Sequence, residues 1–252
     1  MQATQISEAQ ALLEALDRVP PTALTACAGW TAHEVTAHLA AGADEIARLF
    51  EAFGEGLPVP PTRGFEEREA PYRAMDDGAL RKRLFAASAR MGSAMQAVLT
   101  REPEAIIPFT GMPFKATTFV LHSRSESAIH RWDLVGDDDI SLDLLSRPEI
   151  TEHAVTTLAP LLFSRGCGVA PVAGRALSAR IRADGRQDIA IAHDSTGASL
   201  SLVPDDGSPA IETDAAARLL FIWGRRPGDG SRIRSMLPPD DRRGVEALLA
   251  GG

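Results

Sequence analysis

The segment HSRSESAIHRWD, residues 122–133, places His122, Glu126, His130 and Asp133 at intervals of four, four and three. On an α-helix each residue turns by ~100°, so a step of four returns to nearly the same face and climbs ~6 Å. These side chains therefore form one stripe. Within it Glu126 and His130 set a carboxylate and an imidazole one turn apart and pointing the same way, an arrangement that can hold two ligands of a divalent cation. A third ligand has to come from another part of the chain.

His38, in GWTAHEVTAHLAAGADEIARLF, is a source for it. Thr31 followed three residues on by Glu34 matches a capping box and starts a helix there. Val35, Leu39, Ile46 and Leu49 form its apolar stripe; His38 falls inside that stripe, and His33 lies ~140° away from His38. His38 is expected to point inward and His33 outward. In a helical bundle, metal sites are assembled from inward side chains on facing helices. Two histidines and one carboxylate leave coordination positions open, the pattern of a catalytic zinc site or a related divalent metal rather than of a closed, cysteine-rich structural zinc. Burying a carboxylate without compensation is costly. A metal would compensate Glu126, which shares its stripe with Phe119 and Ile129. His122 and Asp133 are then groups that orient ligands, with His122 an alternative third ligand. The plainer reading makes them a surface histidine and a C-terminal-turn aspartate.

The elements that must position these residues read as helices in the first half. Helical spacing spans residues 6–18, a second helix starts at Thr31, a third carries Leu80, Leu84, Met91, Met95 and Leu99 on its buried side, and a fourth runs over 114–135. Residues 53–76, rich in Pro, Gly and charge, read as a long loop, and 148–164 as a fifth helix. Four long helices with a shared apolar side predict a bundle. From RGCGVAPVAG onward the texture changes: ALSARIRA, DIAIAHD and ASLSLV alternate apolar with polar residues between turn signals, predicting a small antiparallel sheet. A helix in TDAAARLLFIWG follows, with Thr213 as N-cap and Gly224 at its end, and a last one lies near DRRGVEALLA. The expectation is an α+β chain of two domains, a helical bundle over 1–166 and a small α+β domain over 167–252, with the boundary near residues 165–174.

With 252 residues, 44% hydrophobic and 24% charged, the composition is that of an ordinary globular protein. A formal charge of -8 gives no basic field to collect phosphates, so nucleic acid is not an expected partner. Cys27 and Cys167 form neither a disulfide framework nor a zinc-finger spacing, which fits a reducing, cytoplasmic setting. The start lacks the basic-then-apolar order of a signal peptide, and no run approaches the ~20 apolar residues of a membrane span. No unpaired apolar face stands out, so a monomer is expected.

GWTAHEVTAHLA, with Trp30 ahead of the helix and His38 before Leu39, together with HSRSESAIHRWDL about ninety residues later, resembles the mycothiol-dependent maleylpyruvate isomerase family. That family's amino-terminal domain is a DinB-like metal-binding four-helix bundle. The second domain is similar to the family's carboxy-terminal α+β domain, which is related to sterol-carrier folds, and AAARLLFIWGRRP is similar to its late helix. Carried over position by position, the resemblance implies that His38, Glu126 and His130 are zinc ligands. It also implies that Arg225, with Arg226 as competitor, binds an anionic group near the active site. The alternative for both arginines is a pairing with Asp229 or a simple preference for the helix C-terminus.

The implied activity is metal-dependent chemistry of a low-molecular-weight thiol, mycothiol. It is either cis–trans isomerisation of an unsaturated carboxylate by thiolate addition and elimination, or transfer of the thiol to a small electrophile. The protein's own cysteines are not required; Cys27 is expected to be inert near the helix start and Cys167 to sit in a linker. A metal-dependent hydrolase on the same bundle and a non-catalytic carrier of a small apolar ligand are the alternatives.

Overall fold

A computed structural model describes residues 6–163, 166–168 and 172–249. The composition change expected near 165–174 lies partly outside the described residues. The chain forms two compact units that divide after Val135.

In the first unit, α1 (Glu8–Arg18), α2 (Ala32–Gly54), α3 (Phe65–Arg73), α4 (Asp77–Arg101) and α5 (Ala116–Val135) follow one another, with a hairpin before α5. The four longer helices form the expected bundle. Its core joins Leu12 and Leu16 of α1, Val35, Ala37 and Ala41 of α2, and Leu80 and Leu84 of α4. Further along, Phe50 of α2 meets Phe119 of α5 edge to face at 4.9 Å. The start of α2 is fixed as the sequence predicts: Thr31 Oγ1 accepts from the Glu34 backbone N–H, and the Thr31 N–H donates to the Glu34 carboxylate at 2.6 Å.

Two features depart from expectation. The loop expected over 53–76 contains α3. Its polar sequence, interrupted by Pro71, carries no apolar stripe; Tyr72 alone enters the core, and ion pairs hold the helix beside it. The segment before α5 is a two-stranded hairpin, β1 (Ile106–Phe109) and β2 (Met112–Lys115). Thr110 and Gly111 turn it with φ of 49° and 80°, the two positive values that a tight hairpin needs. The helix expected from 114 consequently starts at Ala116.

The second unit opens with α6 (Asp139–Leu145), α7 (Pro148–His153) and α8 (Ala159–Phe163). The fifth helix expected over 148–164 is present, with a π-helical turn at Ala154–Leu158 joining α7 to α8. These helices pack within this unit, α8 against the sheet, which is why the division falls at Val135 rather than after them. The sheet comprises β3 (Leu177–Ala183), β4 (Asp188–Asp194), β5 (Gly197–Val203), β6 (Ile211–Thr213) and β7 (Ile233–Ser235), in the order β5-β4-β3-β6-β7. Alternation buries Leu177, Ala179, Ile181 and Ala183 on one face of β3. The sheet is mostly antiparallel, as expected, with one exception: residues 204–210 carry the chain from the β5 edge past β3, so β6 enters parallel to β3. After it, α9 (Ala215–Ile222) is capped by Asp214 rather than Thr213. The Asp214 carboxylate accepts from the Ala217 N–H at 2.9 Å, while Thr213 Oγ1 donates to the Arg182 carbonyl. Gly224 ends α9 at φ 72°, and α10 (Pro239–Leu249) closes the described chain. Among the described residues no helix is long and apolar enough to cross a membrane.

Candidate metal centre

The inward stripe of α2 presents His38, and the helical step of four on α5 presents Glu126 and His130. The three meet: their ligand atoms all lie within 4.8 Å of one another. His38 Nε2 is 3.3 Å and His130 Nε2 3.5 Å from the same oxygen, Glu126 Oε2. The side chains keep 13%, 22% and 8% of their surface for His38, Glu126 and His130, so the cluster is sunk but reachable.

The other face of each ring is held by a carboxylate. His38 Nδ1 donates to Glu69 Oε1 at 2.8 Å, and His130 Nδ1 to Asp133 Oδ2 at 2.9 Å. An ionised carboxylate only accepts, so both Nδ1 atoms must carry hydrogen. In neutral rings this leaves two Nε2 lone pairs aimed at one carboxylate oxygen, a repulsive arrangement. A cation between them, or a proton on the rings or on Glu126, resolves it. Protons alone give the following balance. Burial works against a charged His130, but Asp133, Cys27 and Glu126 hold its pKa well above the usual imidazole value. Burial likewise opposes ionised Glu126, yet its bonds to His130 and His38 hold it well below the usual carboxylate range. Two nitrogens and a carboxylate oxygen, oriented from behind by carboxylates, form a donor set that fits zinc or a related divalent ion.

The surroundings add Glu69 and Phe65, which the sequence did not single out, and define the places of Cys27, Trp30, His122 and His33. Glu69 comes from α3, where Arg73 Nη1 donates to its second oxygen at 3.0 Å. Cys27, expected to be inert, donates its thiol to Asp133 Oδ2 at 3.0 Å and lies 4.0 Å from His130 Nδ1. Trp30 and Phe65 flank His38, with ring centroids 5.4 and 5.9 Å away. His122 stays outside the His38–Glu126–His130 group; it packs against Phe109, and burial lowers its pKa. His33 points away, bonded to Asp77 and to the Arg73 carbonyl. It lines a separate hollow of about 500 Å³ that includes none of His38, Glu126 and His130.

The amino-terminal unit, residues 3–135, matches the model of the mycothiol maleylpyruvate isomerase N-terminal domain. That match spans more than half of the sequence. The chain belongs to this family. Among solved structures, that of the mycothiol-dependent maleylpyruvate isomerase is similar at a TM-score of 0.66 and 17% identity, covering 92% of this chain and 91% of that one. A histidine-to-alanine mutant of that isomerase gives 0.63 and 15% over the same shares. At these identities the likeness establishes a shared fold. No curated protein matches the sequence significantly.

The arginine that the family resemblance singled out lies in the second unit. Arg225 Nη1 donates to the Trp223 carbonyl at 3.0 Å, and its guanidinium lies 5.8 Å from the Trp223 ring. Arg226 faces Glu246 at 3.5 Å and covers the Phe221 ring. Asp229, the partner considered for both, instead accepts from the Ser231 N–H. A sequence signal for Glu69 and Cys27 existed only in retrospect: both sit in segments without helical or strand periodicity.

Proposed function

We propose that this family member is a metal-dependent enzyme that uses a low-molecular-weight thiol, mycothiol, to isomerise an unsaturated carboxylate or to transfer the thiol to a small electrophile. One observation carries the reading: two imidazole Nε2 atoms converge on a single Glu126 oxygen while Glu69 and Asp133 hold both Nδ1 protons on the far side. His38, Glu126 and His130 would hold the cation, zinc being the preferred choice.

A free thiol with pKa near ~8.5 is only a few per cent thiolate at neutral pH. A divalent cation, when bound, supplies the positive charge that favours the thiolate. In the isomerisation the sulfur adds to the activated double bond, and the former double bond rotates as a single bond. Elimination then returns the thiol and the trans product, so the thiol is not consumed. The protein's part is to orient and to exclude water. Glu69 and Asp133 fix the tautomer and direction of the two rings, and Trp30 and Phe65 wall the approach to His38. Neither cysteine is asked to react; Cys27 instead shares the Asp133 oxygen with His130. Arg225 is assigned the grip on an anionic substrate group.

The test has two parts. Metal analysis of purified protein should find about one zinc or similar ion per chain, lost in His38→Ala and in Glu126→Ala. A metal-free, normally folded wild type ends the ligand proposal. Turnover of a panel of unsaturated carboxylates and electrophiles should require added mycothiol, and Arg225→Met should raise KM for the carboxylates without changing metal content. Silence with every thiol favours a carrier, and turnover without thiol favours a hydrolase.

A further inference from the structure

Arg68 of α3 is 5% exposed. Among the described residues no hydrogen bond or ion pair satisfies its guanidinium, and its Nε is enclosed without an acceptor. Burying an arginine without acceptors is costly, so this position calls for an explanation. The carboxylates closest in charge to Arg68 are Glu69, Glu45 and Glu126. None of them hydrogen-bonds it. Glu69 gives one oxygen to His38 and the other to Arg73. Glu45 divides its oxygens between Arg48 and Arg63. Glu126 shares an oxygen between His38 and His130. What holds Arg68 in place is an apolar surface: its Cζ lies 4.3 Å over the Phe65 ring, which stacks at 11° on His38.

The guanidinium therefore stands one aromatic ring away from a ligand of the metal centre, with its donors unspent. Enclosure of Nε leaves Nη1 and Nη2 as the face that an incoming anion meets, and that pair matches the two oxygens of a carboxylate. We infer that Arg68 binds a carboxylate of the substrate beside the His38–Glu126–His130 cluster, selecting small unsaturated acids over neutral electrophiles. This deepens the function proposed above and rests on it for the choice of acid. It places an anion-binding group on the same unit as the metal ligands, separate from the role assigned to Arg225.

The experiment is calorimetric titration of zinc-loaded, full-length protein with maleate, a small cis-unsaturated dicarboxylate. Wild type should bind it, and Arg68→Met, which keeps an apolar stem on Phe65, should bind at least tenfold more weakly with zinc content unchanged and Tm not lowered. Arg68→Gln, which keeps hydrogen-bonding capacity without charge, should show the same loss and carries the test if the methionine variant fails to fold. Unaltered affinity in either folded variant overturns the inference, as does the absence of maleate binding by wild type. Binding requires neither thiol nor turnover. Failure of thiol-dependent turnover would therefore sink the proposed reaction and leave the Arg68 result readable, and the reverse also holds.

Discussion

Asp133 Oδ2 lies 2.9 Å from His130 Nδ1, one helical turn further along α5, and the same oxygen accepts the Cys27 thiol at 3.0 Å. The carboxylate is wholly enclosed, so its bond to the ring is not diluted by water. Partners of this kind typically alter metal affinity 10- to 100-fold when removed. Asp133→Asn keeps the shape but removes the charge, and should weaken zinc binding by about tenfold or more in competition with a chelating dye. Cys27→Ala should leave zinc affinity within a few-fold of wild type, because His130 retains its own bond to Asp133. Equal losses in both variants would show that Cys27 is a ligand rather than a neighbour.

Thr31 closes the first turn of α2, and His38 stands on the second turn of that helix. Loss of such a cap costs about 1 kcal/mol in typical cases. Thr31→Ala should lower the thermal midpoint by a few degrees, in line with ~2–8 °C per kcal/mol for domains of this size range. Zinc content at room temperature should not change, since the helix body is held by buried Val35, Ala37 and Ala41. A variant that unfolds normally but loses its metal would mean that the cap positions His38 directly.

The residues legible in the sequence were those governed by local periodicity. A step of four on one helix exposes Glu126 and His130 as a pair whatever the rest of the chain does, and the stripe of α2 orients His38 in the same way. The capping box at Thr31 is likewise local chemistry. What stayed hidden depends on contacts between distant segments. Cys27 reaches Asp133 because the Ala26 N–H donates to the Asp133 carbonyl at 2.8 Å, a pairing that no local pattern announces. Glu69 and Arg68 lie on α3, a helix whose charged residues are buried by ion pairs and ring stacking rather than by an apolar stripe. The parallel entry of β6 was hidden for a related reason, since alternation fixes which face is buried but not the direction in which a short strand runs.

Glu45 fastens the segment that leads into α3. Its enclosed carboxylate accepts from Arg48 Nε at 3.2 Å, from the Arg63 backbone N–H at 2.8 Å and from Arg63 Nε at 2.7 Å, while Arg48 also donates to the Pro61 carbonyl. Burial by itself would raise the Glu45 pKa, but the bonds from Arg48 and Arg63 outweigh it and the net shift is downward. A carboxylate depressed in the folded state contributes stability in full above its unfolded value of about 4.3 and loses it as pH falls through the folded value. The clamp should therefore hold at neutral pH and release only as pH falls below the ordinary carboxylate range. Glu45→Gln should destabilise the protein by ~2 kcal/mol at pH 7, the range expected when a buried acceptor of charged donors is weakened. That deficit should shrink as urea unfolding is repeated towards pH 3, because wild type then loses the same charge. A deficit that stays constant across pH would assign it to packing and not to the ion pairs. If the clamp acts as described, zinc-loaded Glu45→Gln should also show faster proteolysis within residues 57–64 at pH 7, since Arg63 would no longer tie that stretch to α2.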